Sequence, residues 1–131
     1  MTMPLAITPL YAGLLALIFI VLSVLVIRER FAVKSSVGDG GDQGLIKRMR
    51  IHANFAEYAP LGLILMLCAE LQGAPAVAVH AMGASLLLGR FLHAVGMSRT
   101  PQIIALRQAG ILLTFAMLTL SALTLIGHSI F

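Results

Sequence analysis

Four apolar runs, each long enough to cross a lipid bilayer, make up most of this chain. They cover residues 5–27, 51–71, 76–95 and 103–126. A helix needs about 20 predominantly apolar residues to cross the hydrocarbon core, and each run meets this requirement. Charged residues make up only 11% of the chain, against about 25% in soluble domains. We therefore expect one all-α domain, residues 1–131, built as an integral membrane four-helix bundle.

The connections between the runs are short, except for the first. Residues 28–42 contain a Gly-Asp-Gly-Gly-Asp stretch that is typical of a loop. Asp42 is a suitable N-cap, which predicts that the second helix begins before its apolar run and continues into it. The turns at residues 72–75 and 96–101 are short and contain Gly and Pro, so successive helices should be antiparallel neighbours.

Basic residues gather at the first and third connections. Those in or beside the first are Arg28, Arg30, Lys34, Lys47, Arg48 and Arg50, and those in or beside the third are Arg99 and Arg107. Cytoplasmic loops of membrane proteins are enriched in Lys and Arg, so both termini should lie outside and these two connections in the cytoplasm. The net charge of +4 does not suggest nucleic acid as a partner, since the basic residues cluster beside the apolar runs and no nucleic-acid-binding fold carries them.

A polar stripe interrupts the cytoplasmic end of the second run. Arg50, Asn54, Glu57 and Tyr58 fall within about 100° of the helix circumference. A polar stripe within a membrane must face protein or water. A guanidinium, an amide and a carboxylate together suit a small zwitterionic ligand, because Arg50 can bind a carboxylate and Glu57 an ammonium group.

A purely structural interpretation of these residues is the alternative. Lys47 and Arg48 fit headgroup anchors that extend toward the interface, and Arg50 could do the same. Asn54 could form a hydrogen bond between two helices, as is common in membranes. His52 falls on the opposite face of the helix, near 200° from Arg50, by the ~100° rotation per residue.

The third run carries a second polar set. Arg90 and His93 share a face with Met97, at spacings of three and seven residues. Arg90 lies ~9 Å inside the cytoplasmic end of its helix, at a depth similar to that of Glu57. A buried charge without a partner is costly, so we expect Arg90 and Glu57 to form an ion pair.

The remaining reactive side chains carry little functional signal. The four histidines lack the spacing of a metal site, and no acid–base pair accompanies the hydroxyls of the fourth run. Cys68 is expected to be a small buried hydrophobe. Glu70 and His80 are expected to be interfacial or packing residues near the outer helix ends.

These motifs resemble those of the membrane-associated proteins in eicosanoid and glutathione metabolism, the MAPEG family, in its bacterial branch. The second helix carries Arg-x-x-x-Asn-x-x-Glu-Tyr-x-Pro as Arg50, Asn54, Glu57, Tyr58 and Pro60. Its Glu-Tyr-x-Pro-Leu part is similar to leukotriene C synthase. The Gly-Arg-x-x-His of the third helix, Gly89 to His93, is similar to prostaglandin E synthase.

The resemblance implies a left-handed bundle that assembles as a homotrimer. The trimer would lie in the bacterial inner membrane, in contact with membrane lipids. Glutathione would be a co-substrate, bound in a cleft between subunits that opens to the cytoplasm. Arg50, Asn54, Glu57 and Tyr58 would hold it, with His52 as a further contact. The polar face of the third helix, Arg90 and His93, would add to this binding site.

Two departures from the family pattern concern catalysis. Met97 stands where better-known members have a tyrosine that contacts the ligand. The arginine that stabilises the thiolate in those enzymes has two candidates here, Arg107 and Arg99, with Arg107 slightly preferred. A nearby guanidinium would populate the nucleophilic thiolate by lowering the pKa of the thiol.

Two functions therefore compete. The first is a membrane enzyme that transfers glutathione to lipophilic electrophiles or reduces lipid hydroperoxides. The second is a glutathione-binding or structural membrane protein without catalysis. A small four-helix exporter is disfavoured, because the first run carries no charged residue between Leu5 and Ile27.

Overall fold

The computed structural model describes residues 5–131 as four long α-helices joined by short connections. They are α1 Ile7–Val33, α2 Gln43–Leu71, α3 Ala76–Ser98 and α4 Ile104–Ile130. Each is long and apolar enough to cross a membrane, and large apolar side chains are exposed along all four. The predicted all-α bundle of four membrane-capable helices is confirmed. The first four residues of the predicted domain lie outside the described part of the chain.

The second helix begins where its cap was predicted. The Asp42 carboxylate accepts a hydrogen bond from the backbone N–H of Leu45 at 2.8 Å, so α2 starts ahead of its apolar run. Pro60 lies inside α2 without ending it. The first helix ends at Val33, and its C-cap Lys34 has a left-handed backbone with φ of 55°.

Helices α2 and α3 form the centre of the bundle and contact every other helix. Within residues 5–131, α1 and α4 do not pack against each other. Fully buried apolar side chains, including Leu15, Ile51, Met66 and Leu86, fill the space where α1, α2 and α3 meet. The subunit is therefore centred on the α2–α3 pair, with α1 at one flank and α4 at the other.

Glycines let α3 and α4 approach until their backbones touch. A Cβ atom at Gly110 would collide with the backbone of His93 and with the carbonyl oxygen of Gly89. A Cβ atom at Gly96 would lie 2.6 Å from the backbone nitrogen of Arg107. Small residues at helix interfaces are a common means of tight packing in membranes. This close contact brings the polar side chains of α3 against α4.

The end of the bundle where α1 begins is fixed by side chains of α2 and α3. The Glu70 carboxylate accepts hydrogen bonds from the backbone N–H groups of Ala6, Ile7 and Thr8 at 2.7–2.9 Å. It thereby caps the first turn of α1 from another helix. The Tyr11 hydroxyl lies 3.0 Å from His80 Nδ1. Both contacts are packing roles of the kind expected for Glu70 and His80.

Cys68 does not occupy the buried position that its apolar surroundings suggested. The thiol side chain is exposed on the surface of α2. An apolar run that spans a membrane is apolar on its outward face too, so hydrophobicity alone does not indicate which residues are buried in the bundle.

Candidate functional site

The polar stripe of α2 divides into an exposed half and an inward half. Arg50 and Glu57 form the exposed half, where Arg50 Nη1 lies 3.9 Å from Glu57 Oε1 and the two side chains are 56% and 52% exposed. Exposed ion pairs of this length contribute only about 0–1 kcal/mol to stability. Each group can therefore give up this pairing and bind a ligand instead. Asn54 and Tyr58 form the inward half and are half-buried against α3 and α4.

Arg90 of α3 is the buried centre of the inward half. It is only 1% exposed. Its Nε donates to Thr114 Oγ1 of α4 at 3.0 Å, and its Nη1 donates to the side-chain oxygen of Asn54. The Tyr58 ring lies 5.0 Å from the guanidinium carbon, within the range of a cation–π contact. One guanidinium thus joins α2, α3 and α4, and we call these four residues the Arg90 junction.

The expected ion pair between Arg90 and Glu57 is not formed. Glu57 pairs with Arg50, and Arg90 uses neutral acceptors on Asn54 and Thr114. The physical reason is the rotation of the helix. Asn54 and Tyr58 lie about 40° and 80° from Arg50 in the direction of α3, whereas Glu57 lies about 20° the other way. The expectation therefore chose the wrong side of α2.

His93 and His52 lie in different environments. His93 is 5% exposed and lies one turn after Arg90, against the glycine contact with α4. His52 faces α1, where its Nε2 lies 3.0 Å from Ser23 Oγ and its ring centroid 4.7 Å from that of Phe19. The subunit therefore does not bring His52 together with Arg50 and Glu57. This agrees with the predicted position of His52 on the opposite face of α2.

The third connection carries Arg99 and the start of α4 carries Arg107. Arg99 is exposed, and its carbonyl oxygen accepts a hydrogen bond from Lys47 Nζ at 2.6 Å. Arg107 is half-buried, and its Nη1 donates to Gln102 Oε1 at 2.9 Å. Lys47, expected as a headgroup anchor, instead ties the first turns of α2 to this connection. Within the described part of the subunit, neither guanidinium forms a hydrogen bond or ion pair with the stripe.

The family model described as the MAPEG family matches residues 8–127. The chain belongs to the MAPEG family. The resemblance inferred from the motifs of α2 and α3 is thereby confirmed.

Two bacterial proteins are similar to this MAPEG chain over most of its length. Inner membrane protein YecN of Escherichia coli strain K12 is 37% identical over 117 residues, which cover 89% of this chain and 88% of the relative. The protein of the same name in Escherichia coli O6:H1 strain CFT073 matches equally. No solved structure gives a significant match. These names state a membrane location and no activity.

Thr114 is the residue of this MAPEG site that the sequence interpretation missed. It is fully buried, accepts from Arg90 and donates its own hydroxyl proton to the carbonyl oxygen of Gly110 at 2.8 Å. A buried guanidinium has five N–H donors, so a hydroxyl on a facing helix is a suitable acceptor. The sequence feature that could have indicated Thr114 is a hydroxyl in the fourth apolar run, four residues after a glycine.

The two halves of the stripe suit different tasks. Arg50 and Glu57 present a positive and a negative group that are accessible from outside the subunit. The Arg90 junction fixes the inward half through buried hydrogen bonds to two neighbouring helices. A ligand with both carboxylate and ammonium groups would be matched by the first half and oriented by the second.

Proposed function

We propose that this MAPEG protein is a multi-pass inner membrane protein that binds glutathione and directs its thiol to lipophilic compounds. It would transfer glutathione to an electrophile or reduce a lipid hydroperoxide. The observation that carries the proposal is the exposed Arg50–Glu57 pair, 3.9 Å long, on a helix long enough to cross a membrane. The similarity to inner membrane protein YecN supports the location.

In a homotrimer, a neighbouring subunit would shield the charges of Arg50 and Glu57 from the acyl chains. Ionic side chains on a membrane helix must face protein or water rather than acyl chains. In a ring of three copies, the exposed half of each stripe faces a neighbouring subunit, and a cleft between subunits opens to the cytoplasm. That placement agrees with the cluster of basic residues at the same end of the bundle.

Glutathione fits the charges of the stripe. It has two carboxylates, one ammonium group and two peptide units. On binding, Arg50 exchanges a long ion pair for a forked contact to a carboxylate, and Glu57 accepts from the ammonium group. Asn54 and Tyr58 lie beside them and are within reach of the same ligand.

The chemistry requires a thiolate beside an apolar partner. Arg107 is the preferred group to stabilise it and Arg99 is the second candidate, from the same subunit or its neighbour. In transfer, the thiolate sulfur forms a bond to the electrophilic carbon and a leaving group departs. In peroxide reduction, two glutathione molecules are oxidised to one disulfide, and the hydroperoxide becomes an alcohol and water.

Glutathione affinity of the purified full-length protein tests the site. We expect Arg50→Ala and Glu57→Gln each to weaken binding by about tenfold or more, because each removes one charge-assisted contact. Arg28→Gln is the matched control, since Arg28 is an exposed cation at the end of α1. Affinities that stay at the wild-type value in both site variants would exclude the assignment.

A glutathione-binding protein without catalysis is the second candidate. Met97 favours it, because a thioether stands where better-known members have a tyrosine, and here it packs against the apolar core. The two functions separate in one assay series with 1-chloro-2,4-dinitrobenzene and lipid hydroperoxides. Tight glutathione binding without turnover of either class would select the second function.

A further inference from the structure

We propose that Arg90 is a positioning residue that holds the Asn54 amide in one orientation and makes it an obligatory donor to an anionic group of the ligand. The inference deepens the proposed function and depends on it. It gives Arg90 a role through Asn54, and it makes Asn54 a fixed donor at the ligand site.

The orientation of the amide follows from the chemistry of its partner. A guanidinium carries only donors, so an asparagine that faces it must present its oxygen. Arg90 Nη1 donates to Asn54 Oδ1, and also lies 3.4 Å from the backbone oxygen of the same residue. The Asn54 Nδ2 group is on the other side of the planar amide and donates no hydrogen bond within residues 5–131. Its two N–H groups are left for a ligand.

Arg90 is itself held so that it cannot easily turn away. Its side chain is buried, its Nε donates to Thr114, and Thr114 is fixed by its own bond to Gly110. Gly110 lies against the backbone of His93. The amide orientation is therefore determined by packing between α3 and α4, away from the exposed half of the stripe.

The charge of Arg90 adds a preference for anions. Among the described residues no carboxylate lies within ion-pair distance of it, and its Nη2 is buried without a hydrogen-bond partner. An uncompensated buried charge polarises the groups bonded to it, which strengthens the N–H donors of Asn54. Arg50, Arg90 and Glu57 together leave one net positive charge at the site. Glutathione, with two carboxylates and one ammonium group, carries one net negative charge.

The Asn54→Asp variant tests the donor role. It keeps the shape of the side chain, and its carboxylate can pair with Arg90, so the fold is retained. It replaces the free N–H groups by an acceptor that repels a carboxylate. We expect glutathione affinity to fall by about tenfold or more, while the midpoint of thermal unfolding stays at or above the wild-type value.

Ligand analogues distinguish this role from a general disturbance of the site. The probes are glutathione and its two monoamides, in each of which one carboxylate is replaced by a primary amide. An amide can donate to the new aspartate, so the loss caused by Asn54→Asp should shrink by about threefold or more for one monoamide. A purely structural effect would weaken the three ligands equally.

Substitution of Arg90 tests the positioning role. Arg90→Lys keeps the charge but has no planar fork, so it cannot hold Asn54 and Thr114 together. We expect a higher KM for glutathione with a much smaller change in kcat, and a larger loss in Arg90→Met. Arg28→Gln is the control for the loss of an exposed cation.

The outcomes separate the two proposals. If the wild-type protein does not bind glutathione, the proposed function is overturned and this inference with it. If glutathione binds and Asn54→Asp changes its affinity by less than about twofold, the inference alone is overturned. Equal losses for glutathione and both monoamides would also overturn it.

Discussion

Gly110 of α4 lies directly against the backbone of His93 in α3. A methyl group at this position would collide with the His93 backbone, so the two helices would have to separate. The same helix segment carries Thr114, which accepts from Arg90. The tight helix contact and the polar junction are therefore one structural unit.

Gly110→Ala should destabilise the protein strongly. The added methyl group meets backbone atoms, which cannot rotate away, and we expect a loss of about 1–3 kcal/mol. Thermal unfolding in detergent measures it. Gly127→Ala is the matched control on the same helix, since nothing lies within 4 Å of its added carbon. Equal melting temperatures of the two variants would contradict the close contact.

Glu70→Ala should loosen the first turn of α1. The carboxylate accepts from three backbone N–H groups, and the loss of such a cap costs about 1–2 kcal/mol. Hydrogen exchange of the amides of residues 6–8 reports the effect locally. Gln72→Ala, an exposed neighbour, should leave that exchange unchanged. Unchanged protection in Glu70→Ala would show that another group caps the helix.

His52→Ala should lower stability but leave glutathione affinity within about threefold of the wild type. The ring contacts Ser23 and Phe19 of α1, on the side of α2 opposite Arg50. Ser23→Ala is a companion variant that removes only the polar contact. A tenfold loss of affinity in His52→Ala would restore the direct role that the family resemblance implies.

Arg107→Ala should reduce turnover far more than it reduces binding. If its guanidinium stabilises the thiolate, its loss should lower kcat by on the order of a hundredfold. The pH dependence of thiolate formation, followed by ultraviolet absorbance, should move to higher pH in the variant. Arg99→Ala gives the comparison between the two candidates. A larger loss of kcat in Arg99→Ala than in Arg107→Ala would assign thiolate stabilisation to Arg99 instead.

The features with strong local signals could be predicted from the sequence. Four long apolar runs indicated the helices, and a carboxylate ahead of the second run indicated the cap at Asp42. The spacing of Arg50, Asn54, Glu57 and Tyr58 placed them on one helix face. Each of these depends on residues close together in the chain.

The partners of Arg90 could not be predicted in the same way. Choosing between Glu57 and Asn54 required knowing from which side α3 approaches α2, and the hydropathy of a membrane helix does not indicate this. Thr114 was missed because its role depends on the glycine contact between α3 and α4. The exposure of Cys68 was missed for the related reason that apolar residues face both lipid and protein.

Because α1 and α4 do not pack against each other within residues 5–131, α1 lies outside the group formed by α2, α3 and α4 on the α4 side of the subunit. The hydrogen bonds of the Arg90 junction lie within α2, α3 and α4, and none involves α1. A displacement of α1 would therefore leave those bonds intact, although it would break the contacts that α1 makes with Glu70 and His52. Detergents or lipids that loosen this flank should leave the polar core of the other three helices in place.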